Sequence, residues 1–215
     1  MFLSIKKVPK VSWSSNKPLN LKPKLSTLFF LCFGLSLFGI GEGLLIVSFT
    51  GASPWSVLAQ GISLNVNYSI GFITFILSVT VLFFWIFLNQ KPGIGTILNA
   101  LIVAAMIDIC IRFVQTPDSY ISQILLAIFA VFMVGLGGAI YLITNLGPGP
   151  RDGLMIGLQE KTHFPIAVVR TFLEITVVSL GWYLGGIVGI GTLLFALGIG
   201  PAVAFGLFIV KKFFN

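Results

Sequence analysis

"TNLGPGPRDGLMIGL" (residues 144–158) ends one apolar run and starts another. Three glycines and two prolines fall within residues 147–153. Glycine opens backbone angles closed to other residues, and proline lacks the N–H that a continuing helix needs. Pro150 suits the first position of a new helix, where a missing N–H is no loss. Asp152 suits the positive end of that helix's dipole. The new helix meets Glu160, Lys161 and His163 after about ten residues, half the length needed to cross a bilayer. It therefore lies at the membrane interface or dips in and returns. A re-entrant helix would aim free N–H groups inward, a ready anion site, and would need burial in protein or a wet cavity. An interfacial connector would set Arg151 on lipid phosphates, with Asp152 as a cap.

The surroundings are membrane-like. Of 215 residues, 57% are hydrophobic and 9% charged, with a mean hydropathy of +1.06. A soluble domain carries about 25% charged residues. Six apolar runs have spanning length, at 27–49, 68–88, 93–114, 122–144, 164–184 and 187–210. Alternating barrel strands are absent, so the class is all-α. Residues 1–26 are polar and lysine-rich and read as a disordered cytoplasmic tail; the long apolar run after them lacks a cleavage site. Eleven of the 13 Lys and Arg residues fall on one side of a six-span arrangement, which predicts cytoplasmic termini in a bacterial inner membrane. The net charge of +7 thus points to anionic lipid headgroups and away from nucleic acid. Cys32 and Cys110 lie in spans near opposite faces, and a single histidine rules out a His/Cys metal cluster. Neither a metal nor a cofactor is expected.

The stretch has an echo 96 residues upstream. "GASPWSVLAQGI" (51–62) aligns with "GPGPRDGLMIGL" (147–158), and "GIGT" at 93–96 with "GIGT" at 189–192. About nineteen identities fall in roughly eighty aligned positions, far above chance for this composition. Each copy holds three spans, residues 27–120 and 121–215. Three is odd, so the second copy enters from the opposite face, and the expected architecture is two inverted three-helix repeats, each with a Gly/Pro-broken half-helix. Secondary transporters are built this way, with sites where interrupted helices meet.

Charged residues inside spans are costly and are candidate sites. Glu42, Asp108, Arg112, Arg170 and Glu174 are the five. Asp108–Arg112 and Arg170–Glu174 have the i, i+4 spacing of ion pairs; the first reads as structural, with Arg112 snorkelling. Glu42 has no partner close in sequence and reads as a proton carrier, as a partner for Arg170, or as a buried protonated acid. Trp55, Trp85 and Trp182 fall near span ends, as in aromatic belts. The glycines at 39, 43, 135, 181, 185 and 189 have the spacing of close helix packing. Enzyme signatures such as HExxH, GxSxG or a P-loop lysine are missing, so no catalytic residue is expected.

"GPRDGLMIGL" together with "VRTFLEITVVSLGWYLGGIVGIGTLLFALGIGP" resembles the YczE group of YitT-like bacterial membrane proteins, as do "SPWSVLAQGIS" and "KPGIGTILNALIVAAMID" in the first half. The likeness covers residues 27–210. Where the group reads Gly-Pro-Trp-Asp, this chain has Ser53-Pro54-Trp55-Ser56, so one glycine and one acid are lost. The resemblance implies a six-span inner-membrane protein and supplies no substrate.

Two functions are compatible with these residues. One is a permease for a small polar, anionic solute, bound at Gly147, Gly149, Pro150, Arg151 and Asp152 with Pro54, Trp55, Ser56, Arg170 and Glu174, and coupled through Glu42. The other is a non-transporting accessory or regulator of a membrane-associated partner. The lipid bilayer is the expected environment, and a homo-oligomer is compatible with either.

Overall fold

The computed structural model describes residues 8–214. Eight helices follow one another among them: α1 (Leu25–Val47), α2 (Pro54–Val66), α3 (Ile70–Phe87), α4 (Ile94–Phe113), α5 (Tyr120–Thr144), α6 (Pro150–Thr162), α7 (Ile166–Tyr183) and α8 (Ile190–Phe214). Six are long and apolar enough to cross a membrane. The exceptions, α2 and α6, have 13 residues each. At 1.5 Å per residue they reach roughly 20 Å, short of a hydrocarbon core of about 30 Å. Pro54 and Pro150 both stand at the first turn of these short helices.

The 96-residue spacing recurs in the backbone. The bounds of α2 and α6, and those of α3 and α7, differ by that number at both ends. Among the described residues, every positive φ has a counterpart at the same spacing: Phe49 with Asn145, Gly51 with Gly147, Asn67 with His163, Asn89 with Gly185. Gly51 and Gly147 have φ of +114° and +108°, a region that suits glycine alone.

Hydrogen bonds also come in counterpart pairs. The N–H of Gly95 donates to the Leu146 carbonyl at 2.8 Å, and that of Gly191 to the Thr50 carbonyl at 2.9 Å. Thr96 Oγ1 accepts from the Gly93 N–H and Thr192 Oγ1 from the Gly189 N–H. Each "GIGT" thus opens a spanning helix in one half and fastens the helix-breaking loop of the other. Fastened loops leave fewer backbone groups unsatisfied where no water can reach them.

The centre of the bundle is the crossing of α1 and α5, flanked by α4 on α1 and α8 on α5. Gly34 and Gly137 make that crossing tight: a Cβ on Gly137 would lie 2.6 Å from the Gly34 carbonyl oxygen. Outside this core, α2 packs on α7 and α3 on α6. The halves differ in one respect. α3 packs along α4, whereas α7 and α8 scarcely touch.

Two sequence expectations are corrected here. Residues 8–24 of the basic tail are not a free chain; residues 1–7 lie outside the described part. Trp13 is 4% exposed and stacks on Phe30 with ring centroids 4.3 Å apart. Thr27 Oγ1 donates to the Trp13 carbonyl at 2.6 Å, and the Ser15 N–H to the Thr144 carbonyl at 2.9 Å. Trp13 and Ser15 thus anchor a stretch whose lysines alone suggested solvent. Nor are Trp55 and Trp85 belt residues. Both are buried, because each packs in the core between a short helix and a span of the opposite half, while Trp182 is exposed.

Candidate binding site

Residues from both helix breaks line one cavity of about 300 Å³, together with α1, α5, α7 and α8. Ser53, Pro54 and Trp55 come from the first break; Arg151, Asp152 and Met155 come from the second. Glu42 joins them from α1, five residues inside its end, or roughly 8 Å along the axis.

Glu42 is fully buried. Its Oε2 accepts from Ser53 Oγ at 2.6 Å and Ser56 Oγ at 2.7 Å. Its Oε1 has no partner. A buried carboxylate with one oxygen doubly satisfied and one vacant is costly unless something else is bound there. The partners that the sequence did not reveal are Ser53 and Ser56.

Arg151 lies over the Trp55 ring, 5.3 Å from its centroid. These two residues are themselves counterparts at the 96-residue spacing, so the two breaks meet face to face. A cation on an aromatic face is held by the ring's quadrupole, and this contact leaves the guanidinium's five N–H donors unspent. Among the described residues the one ion pair is Arg170 Nε to Glu174 Oε1, at 2.8 Å. Arg151 therefore lines the cavity without a hydrogen-bonded carboxylate, although Glu42, Asp152 and Glu174 lie near enough to act on its charge.

Asp152 is oriented by Tyr141 of α5. The Tyr141 hydroxyl accepts from the Gly149 N–H and donates to Asp152 Oδ2 at 3.3 Å. Behind them, Trp85 Nε1 donates to the Pro150 carbonyl at 3.0 Å, and a Cβ on Gly153 would lie 1.9 Å from the Trp85 ring. Tyr141 and Trp85 thus set the position of α6; Tyr141 was not singled out from the sequence, and Trp85 was read there only as a belt residue. Their signal was weak: an aromatic residue bearing a hydrogen-bonding group, in an otherwise apolar span.

Of the candidate residues, Pro54, Trp55, Arg151, Asp152, Arg170, Glu174 and Glu42 line this cavity. Ser56 reaches it through Glu42. Gly149 and Pro150 line a smaller cavity of about 90 Å³ beside it, with Thr74, Ser78 and Asn99. Gly147 lines neither; it turns the loop against Thr96. The Asp108–Arg112 ion pair does not form. Asp108 instead accepts from Ser69 Oγ at 2.5 Å and from the Gly71 N–H at 2.7 Å, and Arg112 is exposed. A backbone N–H and a hydroxyl already fixed by α3 outcompete a long side chain that must be immobilised. A further cavity of about 290 Å³, beneath the tail, has Lys10 as its one ionisable lining residue. Among the described residues no cluster of metal-ligating side chains occurs.

The chain matches, over residues 25–207, a family described as a family of unknown function, DUF6198. It belongs to that family. Among its relatives are an uncharacterized protein of Haemophilus influenzae, 39% identical over 97% of this chain and 94% of the relative, and the uncharacterized membrane protein YczE of Bacillus subtilis, 30% identical over 84% and 81%. The uncharacterized protein YyaS of Bacillus subtilis is 28% identical over 75% and 82%. No solved structure matches. The family match spans both helix breaks and Arg170 and Glu174, so the whole cavity lies inside it. The likeness to the YczE group holds, and this DUF6198 member is a membrane protein.

Proposed function

We propose that this protein is a carrier for a small polar, anionic solute, built from two inverted halves in the bacterial inner membrane. The observation that carries the reading is the cavity where both helix breaks meet, with Arg151 free of any hydrogen-bonded ion pair and one oxygen of Glu42 without a hydrogen-bond partner. An interfacial connector has no use for such a cavity. The lysine-rich tail and the Lys161 end of α6 would face the cytoplasm. No step of chemical conversion is assigned; the protein is read as a carrier and not as an enzyme.

An anion would take its hydrogen bonds from Arg151, with Arg170 and Glu174 at the rim. Glu42 would be the coupling residue. A proton on Oε1 removes the carboxylate's repulsion of the bound anion and supplies a donor to it. Anion and proton would then favour each other's binding, and the coupling is reciprocal.

The two cavities support alternating access. Thr74, Ser78, Asn99 and Val103 line the small one, and their counterparts Arg170, Glu174, Phe195 and Ile199 line the large one. The small cavity lies where α3 is held on α4, the large one where α7 stands off α8. Exchanging the conformations of the two halves would close one and open the other.

The test is thermal stability of the purified protein against a panel of small organic and inorganic anions, cations and neutral solutes, for wild type and Arg151→Ala. A ligand at a hundred times its Kd adds about 2.7 kcal/mol. The reading requires an anion class that stabilises wild type and not the variant. Stabilisation of neither by any class would favour the accessory role and make a search for protein partners the next step.

A further inference from the structure

The large cavity has an opening on the side of the bundle, and its cause is legible in counterpart residues. In the first half, Ser69 and Gly71 at the start of α3 hold Asp108 of α4. Gly71 also permits the approach: a Cβ there would lie 2.2 Å from the Ala104 carbonyl oxygen. In the second half the counterparts of Ser69, Gly71, Ala104 and Asp108 are Pro165, Ala167, Gly200 and Ala204. The acceptor is gone, the hydroxyl is gone, and a methyl group stands where the closest approach needs glycine.

The result is a slot. A Cβ on Gly200 would meet nothing within 4 Å, and α7 is the least buried of the six spanning helices. One wall carries Arg170, with a side chain 45% exposed, and Glu174; the other carries Phe195, Ile199 and Val203. The Phe195, Ile199 and Val203 wall suits a hydrocarbon chain, while the Arg170–Glu174 wall is polar. Arg151, without a hydrogen-bonded ion pair, lines the same cavity.

We propose that the site takes a single-chain anionic amphiphile, its acidic head on Arg151 and its chain leaving between α7 and α8 into the bilayer. A cavity of about 300 Å³ lies at the low end for ligand sites and has room for a head group and the start of one chain, not two. This rests on the carrier reading and names its substrate class.

The test uses the full chain in nanodiscs of neutral phosphatidylcholine and a long-chain alkyl carboxylate bearing a mid-chain diazirine. After irradiation, adducts should concentrate within residues 167–174 and 195–203. Unlabelled long-chain carboxylate should compete, and an alcohol of equal length should not. Arg151→Gln should cut labelling about tenfold or more, the loss expected for hydrogen bonds to a charged group. A second variant guards against misfolding: Ala167→Cys with Gly200→Cys, in a background lacking Cys32 and Cys110. A short bis-methanethiosulfonate should bridge the two thiols across the open slot and suppress labelling, and reduction should release the bridge and restore it. Adducts spread over the outward faces of all six spanning helices, indifferent to Arg151 and to the crosslink, would overturn the proposal. Arg151-dependent binding of short water-soluble carboxylates with no competition from long-chain ones would remove the amphiphile and leave the carrier. Loss of both kinds of binding would remove both.

Discussion

Asp108 and Arg112 stand four apart on α4, and the structure predicts that they are energetically independent. The perturbations are Asp108→Ala, Arg112→Ala and the double variant. Asp108 accepts two bonds from α3, from Ser69 Oγ and the Gly71 N–H. Interhelical hydrogen bonds in membranes average about 0.6 kcal/mol and reach roughly 1.7. A charged acceptor with a backbone donor belongs near the upper value, so the two together come to about 2–3 kcal/mol. Deleting the carboxylate also strands the Gly71 N–H in α3's first turn. Arg112 makes no ion pair and is exposed, so its loss should cost under about 0.5 kcal/mol, as surface substitutions usually do. The coupling from the double-mutant cycle should then be under about 0.3 kcal/mol. Asp108→Asn should recover part of the loss, because its amide oxygen still accepts from Gly71. Reversible unfolding in bicelles supplies the free energies. A coupling above about 1 kcal/mol, or equal losses for the two single variants, would restore the ion pair and refute the latch.

Three further outcomes follow from the same structure. Gly153→Ala should destabilise by about 1–3 kcal/mol, since its Cβ would lie 1.9 Å from the buried Trp85 ring. Gly200→Ala should be neutral or stabilising by up to about 1 kcal/mol, because the slot leaves its Cβ in open space; paired unfolding curves compare them. Trp13→Ala should cost about 3–5 kcal/mol if tail and bundle unfold together. Limited trypsin digestion should then cut after Lys10 and Lys24, the lysines within residues 8–24 not followed by proline, faster than in wild type; equal rates would mean that the tail is not held by Trp13.

The spanning helices were legible because a bilayer asks one thing of a span, a run of apolar residues of sufficient length. The expected 93–114 and the observed Ile94–Phe113 differ by one residue at each end. The breaks were legible because Pro54 and Pro150 act locally, through a missing N–H and a fixed φ. What did not follow from the sequence depends on the chain folding back on itself. Glu42 finds Ser53 and Ser56 only because the loop after α1 reverses toward it. Asp108 finds a partner 37 residues away, at Gly71, in preference to one four residues away. The repeated "GIGT" was visible as a repeat, but its work of fastening the loop of the other half is a property of the assembled bundle.

The 96-residue register, once seen in the backbone, turns sequence divergence into a physical reading. Where the halves agree, as at Pro54 and Pro150 or Thr96 and Thr192, both copies do the same structural task. Where they disagree, the difference falls around the two cavities. Thr74 and Ser78 bond to their own helix, each hydroxyl donating to the carbonyl four residues back. Their counterparts Arg170 and Glu174 bond to each other and line the larger space. The Asp108 latch exists on the side of the small cavity and has no counterpart on the side of the large one. Loss of a latch, gain of an ion pair and an empty volume beside Gly200 are three separate sequence changes, and all three widen the same side of the bundle. Drift in a structural scaffold would scatter such changes. Their convergence on the cavity that also holds Glu42 and Arg151 is what supports the proposed carrier role.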